Sequence, residues 1–362
     1  VWAGWYVQQS AGARQRNGDG LLGAYANGPG GKYLKLNAKK AVLLSSGDCG
    51  SNADMVYNLL DDVAEWSTRA GADRAAWAGR GRDGAGHKLG GWAGGAIESH
   101  PRPVAGDAPS ISFGPWGSTP CLWMNCNGQR FMNESFAGLV LAQSCRQPIN
   151  PEAKMVGNFA IMDSKYMSYI QAGGLDHGAP NWGFPEGIEE FQAQMAAADP
   201  AAGTVEVRGL EIANRTSPFV NEIFVGATLE DALKNAGLEG EALENAKASV
   251  ERYNELCAAG KDTDFGKPEN LLIPIDEGPF FVATQGTNKL YGPGLNTLAG
   301  LCVNGDYQVL TASKNEVIKG LYAVGNTMGE RYGNAYNCPS AGNNMGNAMT
   351  SGRVAGKHAA TA

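Results

Sequence analysis

Apolar positions along this chain fall into short runs and one-sided helical stripes, punctuated by glycine and asparagine clusters. Lys32 to Leu36 alternates and Ala41 to Leu44 runs apolar, so both read as strands joined by the Asn37-Ala-Lys-Lys bend. Ser45-Ser-Gly-Asp-Cys-Gly then reads as a strand-end loop. Asn52 caps a helix beginning at Ala53, and Asp54 to Ala70 reads as one polar helical stretch. Gly90-Gly-Trp-Ala-Gly-Gly95 reads as a linker into a region of new composition. Thr228-Leu-Glu-Asp231 is a capping box, and Leu243, Ala246, Val250, Tyr253 and Leu256 share one face of a long helix that Gly260 ends. Strands follow near 301–303, 309–311 and 321–324, and a last helix starts near Gly342.

The end of the chain concentrates the chemistry. Gly320-Leu-Tyr-Ala-Val-Gly-Asn326 carries an apolar strand into a Gly-Asn turn, and small residues lead to the helix at Gly342. A helix N-terminus offers unpaired N–H groups and a partial positive charge. Small residues let a flat ligand approach the backbone closely. Together they suit an electron-rich ring edge such as O2 and N1 of a flavin. Ser45, Ser46, Gly47 and Asp48 stand at the carboxyl end of a strand, where ligands sit in doubly wound sheets. An ordinary tight turn is the alternative there.

Four segments, in order, resemble the fumarate reductase/succinate dehydrogenase flavoprotein family. Lys39-Lys-Ala-Val-Leu-Leu-Ser-Ser-Gly-Asp-Cys-Gly-Ser-Asn52 is similar to its A-K-K-x-V-I-L-A-T-G-G-F-G-x-N segment. Asn125-Cys-Asn-Gly-Gln-Arg-Phe-Met-Asn-Glu134 is similar to N-x-x-G-x-R-F-x-N-E. Thr228 to Gly266 follows T-L-E-E-L-A, a helix with R/A-Y-N, then G-K-D-x-x-F. Gly320 to Gly356 follows the family's C-terminal end, with Asn326 where many members have Glu. The resemblance implies an α/β fold: a Rossmann-like FAD-binding domain in discontinuous pieces (1–96 and 286–362) and an α+β substrate-capping domain (97–285). It implies FAD contacts from Ser45, Ser46, Gly47, Asp48, Gly325, Asn326, Gly342, Asn343, Asn344 and Met345, and an external electron donor. The family's opening strand, G-x-G-x-x-G turn and helix hold the FAD pyrophosphate and have no counterpart here. Gly79-Arg-Gly-Arg-Asp-Gly84 fits the spacing but follows a helical stretch, so it reads as a loop. Residue 1 is therefore expected to lie inside the family's chain.

Departures from the family narrow the substrate. The family's proton-donating Arg in T-T-R-D is replaced within Ser135-Phe-Ala-Gly-Leu. Its H-H-T-M-G-G loop corresponds to Leu295-Asn-Thr-Leu-Ala-Gly300, without either His, and its H-G-A-N-R to Tyr336-Asn-Cys-Pro-Ser. Only Q-x-H-P survives in part, as Glu98-Ser-His100-Pro. A small dicarboxylate without its Arg partners is poorly held. Tyr336-x-x-Pro-x-x-Gly342 looks like the loop of the related ketosteroid dehydrogenases and ene-reductases. That likeness implies Tyr336 as proton-transfer group and Gly342 as the amide that polarises a carbonyl; Arg331, just upstream, is a candidate clamp for an oxygen of substrate or flavin, and His100 of the surviving segment completes the candidate catalytic set. The plain alternatives are a packed loop aromatic for Tyr336 and a surface ion pair for Arg331. Phe113, Trp116, Trp123 and Trp182 read either as core or as the lining of an apolar pocket.

Composition adds exclusions. The 362 residues are 43% hydrophobic and 18% charged, as in globular proteins, with room for two domains. A net charge of −7 and no basic run argue against nucleic acid, and no apolar run reaches membrane-span length, about 18 residues. Seven scattered Cys without C-x-x-C, and isolated His, give no metal site and read as reduced thiols. Neither the cytoplasm nor a bacterial periplasm is singled out. The expected function is an FAD-dependent oxidoreductase that reduces or desaturates an activated bond of an apolar, carbonyl-bearing small molecule. The rival is a non-catalytic, ligand- or partner-binding piece of a flavoprotein.

Overall fold

The computed structural model describes residues 15–17, 20–27, 29–69, 71, 82–99, 102, 104–105, 120–136, 147–153, 157–173, 185–208, 220–283, 296–313, 315–333 and 342–362. It is a mixed α/β structure of two compact units. The first comprises residues 1–64, 74–105 and 292–362, the second 65–73 and 106–291.

In chain order the first elements are β1 (Gln15–Asn17), β2 (Gly20–Asn27), β3 (Tyr33–Asn37) and β4 (Val42–Leu44). Helices α1 (Ala53–Leu59), α2 (Asp61–Arg69) and α3 (Ala85–Trp92) and strand β5 (Val104–Ala105) follow. The second unit carries β6 (Leu122–Met124), β7 (Phe159–Met162), α4 (Tyr166–Gly173), α5 (Pro185–Ala196), β8 (Thr204–Arg208), β9 (Val220–Gly226), α6 (Leu229–Asn235), α7 (Gly240–Ala258) and β10 (Phe280–Ala283). The chain returns with β11 (Asn296–Thr297), β12 (Gln308–Leu310), β13 (Val317–Ala323) and α8 (Asn343–Thr361).

The first unit is organised by β13. It runs parallel to β4, pairing Leu321, Tyr322 and Ala323 with Val42, Leu43 and Leu44, and antiparallel to β12. It also meets β2 in parallel at Lys319, and β3 extends the sheet as the hairpin partner of β2. Leu44, Leu301, Val309, Ile318, Leu321, Ala323 and Met328 form its core. The second unit has a five-stranded antiparallel sheet, ordered β6-β7-β10-β9-β8. Trp123, Phe159, Tyr169, Phe191, Phe224 and Phe281 are fully buried on and around it. Burial of each such side chain contributes about 1.5–3 kcal/mol.

Three expectations change. The stretch from Asp54 to Ala70 is two helices that break at Leu60, where the backbone leaves helical geometry. Gly90, Gly91 and Trp92 are no linker: they are the last turn of α3, because three residues in helical register with Leu89 extend it before Ala93. The strand expected near 301–303 is only isolated bridges at Leu301 and Val303, while both cap signals hold. Asn52 accepts from Met55 N–H at 3.1 Å, and Thr228 Oγ1 accepts from Asp231 N–H at 3.1 Å. All five stripe residues of α7 are buried. Trp123 lies in the core, while Phe113, Trp116 and Trp182 lie outside the described residues.

Candidate cofactor site

Two parallel strands of the first unit end side by side. Val324 N–H donates to Leu44 O at 3.0 Å, and the loops beyond are tied by Thr327 Oγ1 donating to Gly47 O at 2.9 Å. Ser46 Oγ accepts from Gly86 N–H at 2.8 Å, which draws the first turn of α3 onto the same loop. A β-carbon at Gly86 would stand 2.5 Å from Ser46 Oγ and 2.6 Å from Thr327 Cγ2, so only glycine fits there. Beside Gly47 a β-carbon would meet no described atom within 4 Å.

Asp48 turns the other way. Its carboxylate is fully buried and accepts from Arg82 Nη1 at 3.1 Å and from Thr297 N–H at 2.9 Å. Burial raises its pKa, and Arg82 pulls in the opposite direction. The side chain thus organises the loop, and the Asp48 carbonyl in turn accepts from Gly84 N–H at 3.1 Å. Cys49 is held by Thr297 as well, and burial pushes its thiol up to about 11, so it stays protonated. Cys49, Cys121, Cys126, Cys257 and Cys302 are free thiols.

The loop after β13 and the start of α8 meet through Arg331. Its Nη2 donates to Asn326 Oδ1 at 3.1 Å and its Nη1 to Asn344 Oδ1 at 3.2 Å, with the Tyr332 ring 5.1 Å from the guanidinium carbon. Asn343 Nδ2 reaches the Tyr332 hydroxyl at 3.4 Å. From the sequence Arg331 is a candidate for an ion pair or a ligand oxygen; in the structure it bridges two carboxamides. Gly325 N–H donates to Ser351 Oγ at 3.1 Å, which fixes the turn against α8. Gly342 precedes α8 in the left-handed region (φ 79°) and supplies no side-chain cap. Among the described residues no side chain caps the first-turn N–H groups of Asn343, Asn344 and Met345, and Met345 is 70% exposed.

His87, which the sequence offers as an isolated surface or core histidine, lies on α3 and is fully buried, and Nε2 lies 2.8 Å from Ala299 O. That contact assigns the proton to Nε2. Burial and the Arg331 charge hold its pKa below the usual range, and its buried Nδ1 has no partner among the described residues. Nothing in an isolated His in Gly-His-Lys announces this. Tyr336 and His100 lie outside the described residues.

A cleft of about 510 Å³ in the second unit is lined by Asn125, Arg130 and Tyr253 among others, and by none of the candidate catalytic or cofactor-binding residues. Its cations are already engaged, Arg252 by Asp264 and Arg130 by Glu134 and Asp262. Among the described residues no group of His, Cys, Asp and Glu is placed to hold a metal, and no helix is long and apolar enough to cross a membrane.

The residues of the first unit fit a flavin. They offer uncapped helix amides, a glycine at a strand end and a fixed cation between two carboxamides. In α/β proteins, nucleotide cofactors commonly bind at strand ends and helix N-termini. The FAD binding domain family matches residues 10–344, and the chain belongs to it. Over 342 residues it is 28% identical to the vinyl phenol reductase of Lactiplantibacillus plantarum, covering 88% of this chain and 60% of that protein. A 128-residue stretch is 37% identical to the fumarate reductase (cytochrome) of Shewanella frigidimarina, covering 35% of this chain and 20% of that one. The structure of 3-ketosteroid delta1-dehydrogenase from Sterolibacterium denitrificans, in complex with 1,4-androstadiene-3,17-dione, is similar with a TM-score of 0.63. Identity there is 22%, covering 96% of this chain and 58% of that one. The chain spans less than two thirds of the length of these relatives.

Proposed function

We propose that this chain belongs to an FAD-dependent oxidoreductase acting on CH–CH bonds, reducing or desaturating an activated bond of an apolar, carbonyl-bearing small molecule. In this reading the first unit is a Rossmann-like FAD-binding domain and the second caps the substrate. The observation that carries it is the Arg331 bridge between Asn326 and Asn344 at the uncapped start of α8. Bound FAD supplies hydride chemistry at N5. This chain's residues supply position and electrostatics. Ser45, Ser46, Gly47, Asp48 and Gly325 line the cofactor by their backbone, and the N–H groups of Asn343, Asn344 and Met345 meet the pyrimidine edge. Arg331 fixes an oxygen of flavin or substrate, the Gly342 N–H polarises the substrate carbonyl, and Tyr336, with His100 beside it in the scheme, moves the proton. An external donor or acceptor exchanges electrons with the enzyme. The names of the relatives, a vinyl phenol reductase and a ketosteroid dehydrogenase, fit an apolar conjugated substrate.

Two measurements test this. Asn344→Pro deletes one of the helix-start donors while Pro is tolerated in a first turn, whereas Asn344→Ala removes only the side chain. Flavin retention on gel filtration is expected to fall more for Pro than for Ala. Equal retention in both would remove the backbone donor from the site. With a reduced dye as donor, a cyclic enone and a vinyl phenol are expected to turn over, and fumarate is not. Fumarate turnover with KM below about 1 mM, the upper end of common values, would overturn the substrate class.

A further inference from the structure

Glu98 has no part in the scheme above, yet the Arg331 loop is built on it. Glu98 is 4% exposed, and its Oε1 accepts from Gly300 N–H at 3.1 Å, while Glu98 N–H donates to Gly300 O at 2.9 Å. Oε2 accepts from Glu330 N–H. Glu330 has φ 59°, a left-handed conformation that a residue with a β-carbon seldom adopts unaided. Gly329, just before it, lies so close that a β-carbon would come within 2.9 Å of the Glu98 carboxyl carbon. A charge-assisted hydrogen bond is of the size needed to hold such a strained residue. The next residue is Arg331, which reaches Asn326 and Asn344.

We propose that Glu98 is the positioning residue of this site: its carboxylate holds Gly300 and Glu330 and so fixes the turn from which Arg331 reaches Asn326 and Asn344. The consequence for turnover rests on the flavin reading; the turn itself does not. The charged and titratable groups acting on Glu98 are Arg331, Glu330 and Cys302, with His87 in the field of the same Arg331. Burial raises the Glu98 pKa against the pull of its two N–H donors and Arg331. Acidification then protonates an acceptor, loosens the turn and adds an acid limb to the kcat/KM profile.

The test compares Glu98→Ala, Glu98→Gln, Glu330→Gly and the double variant Glu98→Ala/Glu330→Gly. In the protein as isolated, amide hydrogen exchange at Glu330 is expected to quicken about 10- to 100-fold in Glu98→Ala, the worth of a charged hydrogen bond. Glu98→Gln keeps the shape but can accept only one of two N–H groups, so it decides the matter if Glu98→Ala does not fold. In flavin-loaded enzyme, kcat/KM is expected to fall about tenfold or more in Glu98→Ala. Adding Glu330→Gly, which takes the left-handed turn unaided, is expected to restore it to within about threefold of wild type. The acid limb is expected to vanish in Glu98→Gln. Unchanged exchange at Glu330 in the Glu98 variants overturns the proposal. So does a double variant no better than Glu98→Ala, because Glu98 would then act other than through the turn. A wild-type protein that holds no flavin refutes the flavin reading alone, and the exchange result still decides the role of Glu98.

Discussion

Glu134→Ala is expected to destabilise the second unit by about 3–5 kcal/mol, the usual cost of leaving a buried charge uncompensated. Glu134 is fully buried and takes a two-pronged contact from Arg130, Nε at 2.8 Å and Nη2 at 2.9 Å. Lys267, 3% exposed, stands 3.5 Å away and donates to Tyr253 OH and Pro120 O. Burial pushes the Lys267 pKa down, so its charge depends on what neutralises it. Arg130 also reaches Asp262 at 2.7 Å and lies between the rings of Tyr253 and Phe265. Removing Glu134 leaves two buried cations facing one remaining carboxylate. Urea denaturation followed by circular dichroism measures the loss. A midpoint within error of wild type would mean that the cluster contributes nothing net, as some buried ion pairs do. A pH dependence accompanies it. Burial opposes ionisation of Asp262, but Arg130 and the N–H groups of Lys267 and Phe265 hold its pKa below the usual carboxylate range. Its contribution is complete above the unfolded value of about 3.9 and is lost as pH falls through the lower folded value.

The same cluster shows what could be read from the chain beforehand. Arg130 and Glu134 were visible as a motif, and Asp262 and Lys267 lie in or beside another, 132 residues apart in the Arg130–Asp262 contact. That the two motifs exist to neutralise each other is long-range information no local pattern carries. Local physics was legible: the Asn52 and Thr228 caps, the α7 stripe and the strand-loop-helix order around Gly342 all depend on neighbours within a turn or two. Element ends were not, because the break at Leu60 and the extension of α3 through Gly90 and Gly91 are settled by what surrounds them. At the site, the sequence brought Asn326, Arg331 and Asn344 to notice separately. Their joining, the inward turn of Asp48 and the anchoring of Glu330 by Glu98 arise only when β4 and β13 end together.

Tyr336→Phe is expected to lower turnover by about 10²–10⁴-fold, the range for losing a general acid or base, with flavin content unchanged. Tyr336 falls between Arg331 and Gly342 in the chain, the two residues that flank the proposed carbonyl-binding site. A phenol has the reach and the tunable acidity for this role. Phe preserves the ring and deletes only the hydroxyl, which separates proton transfer from packing. The split between parameters decides between them. Loss of the hydroxyl's chemical role lowers kcat and kcat/KM together, whereas loss of a substrate contact raises KM with kcat kept. Near-full turnover in Tyr336→Phe would make Tyr336 a packing residue and pass the proton to His100, Arg331 or Tyr332. Of these, Arg331 is the weakest acid and is already committed to Asn326 and Asn344, so His100→Gln and Tyr332→Phe would be the variants that then locate the donor.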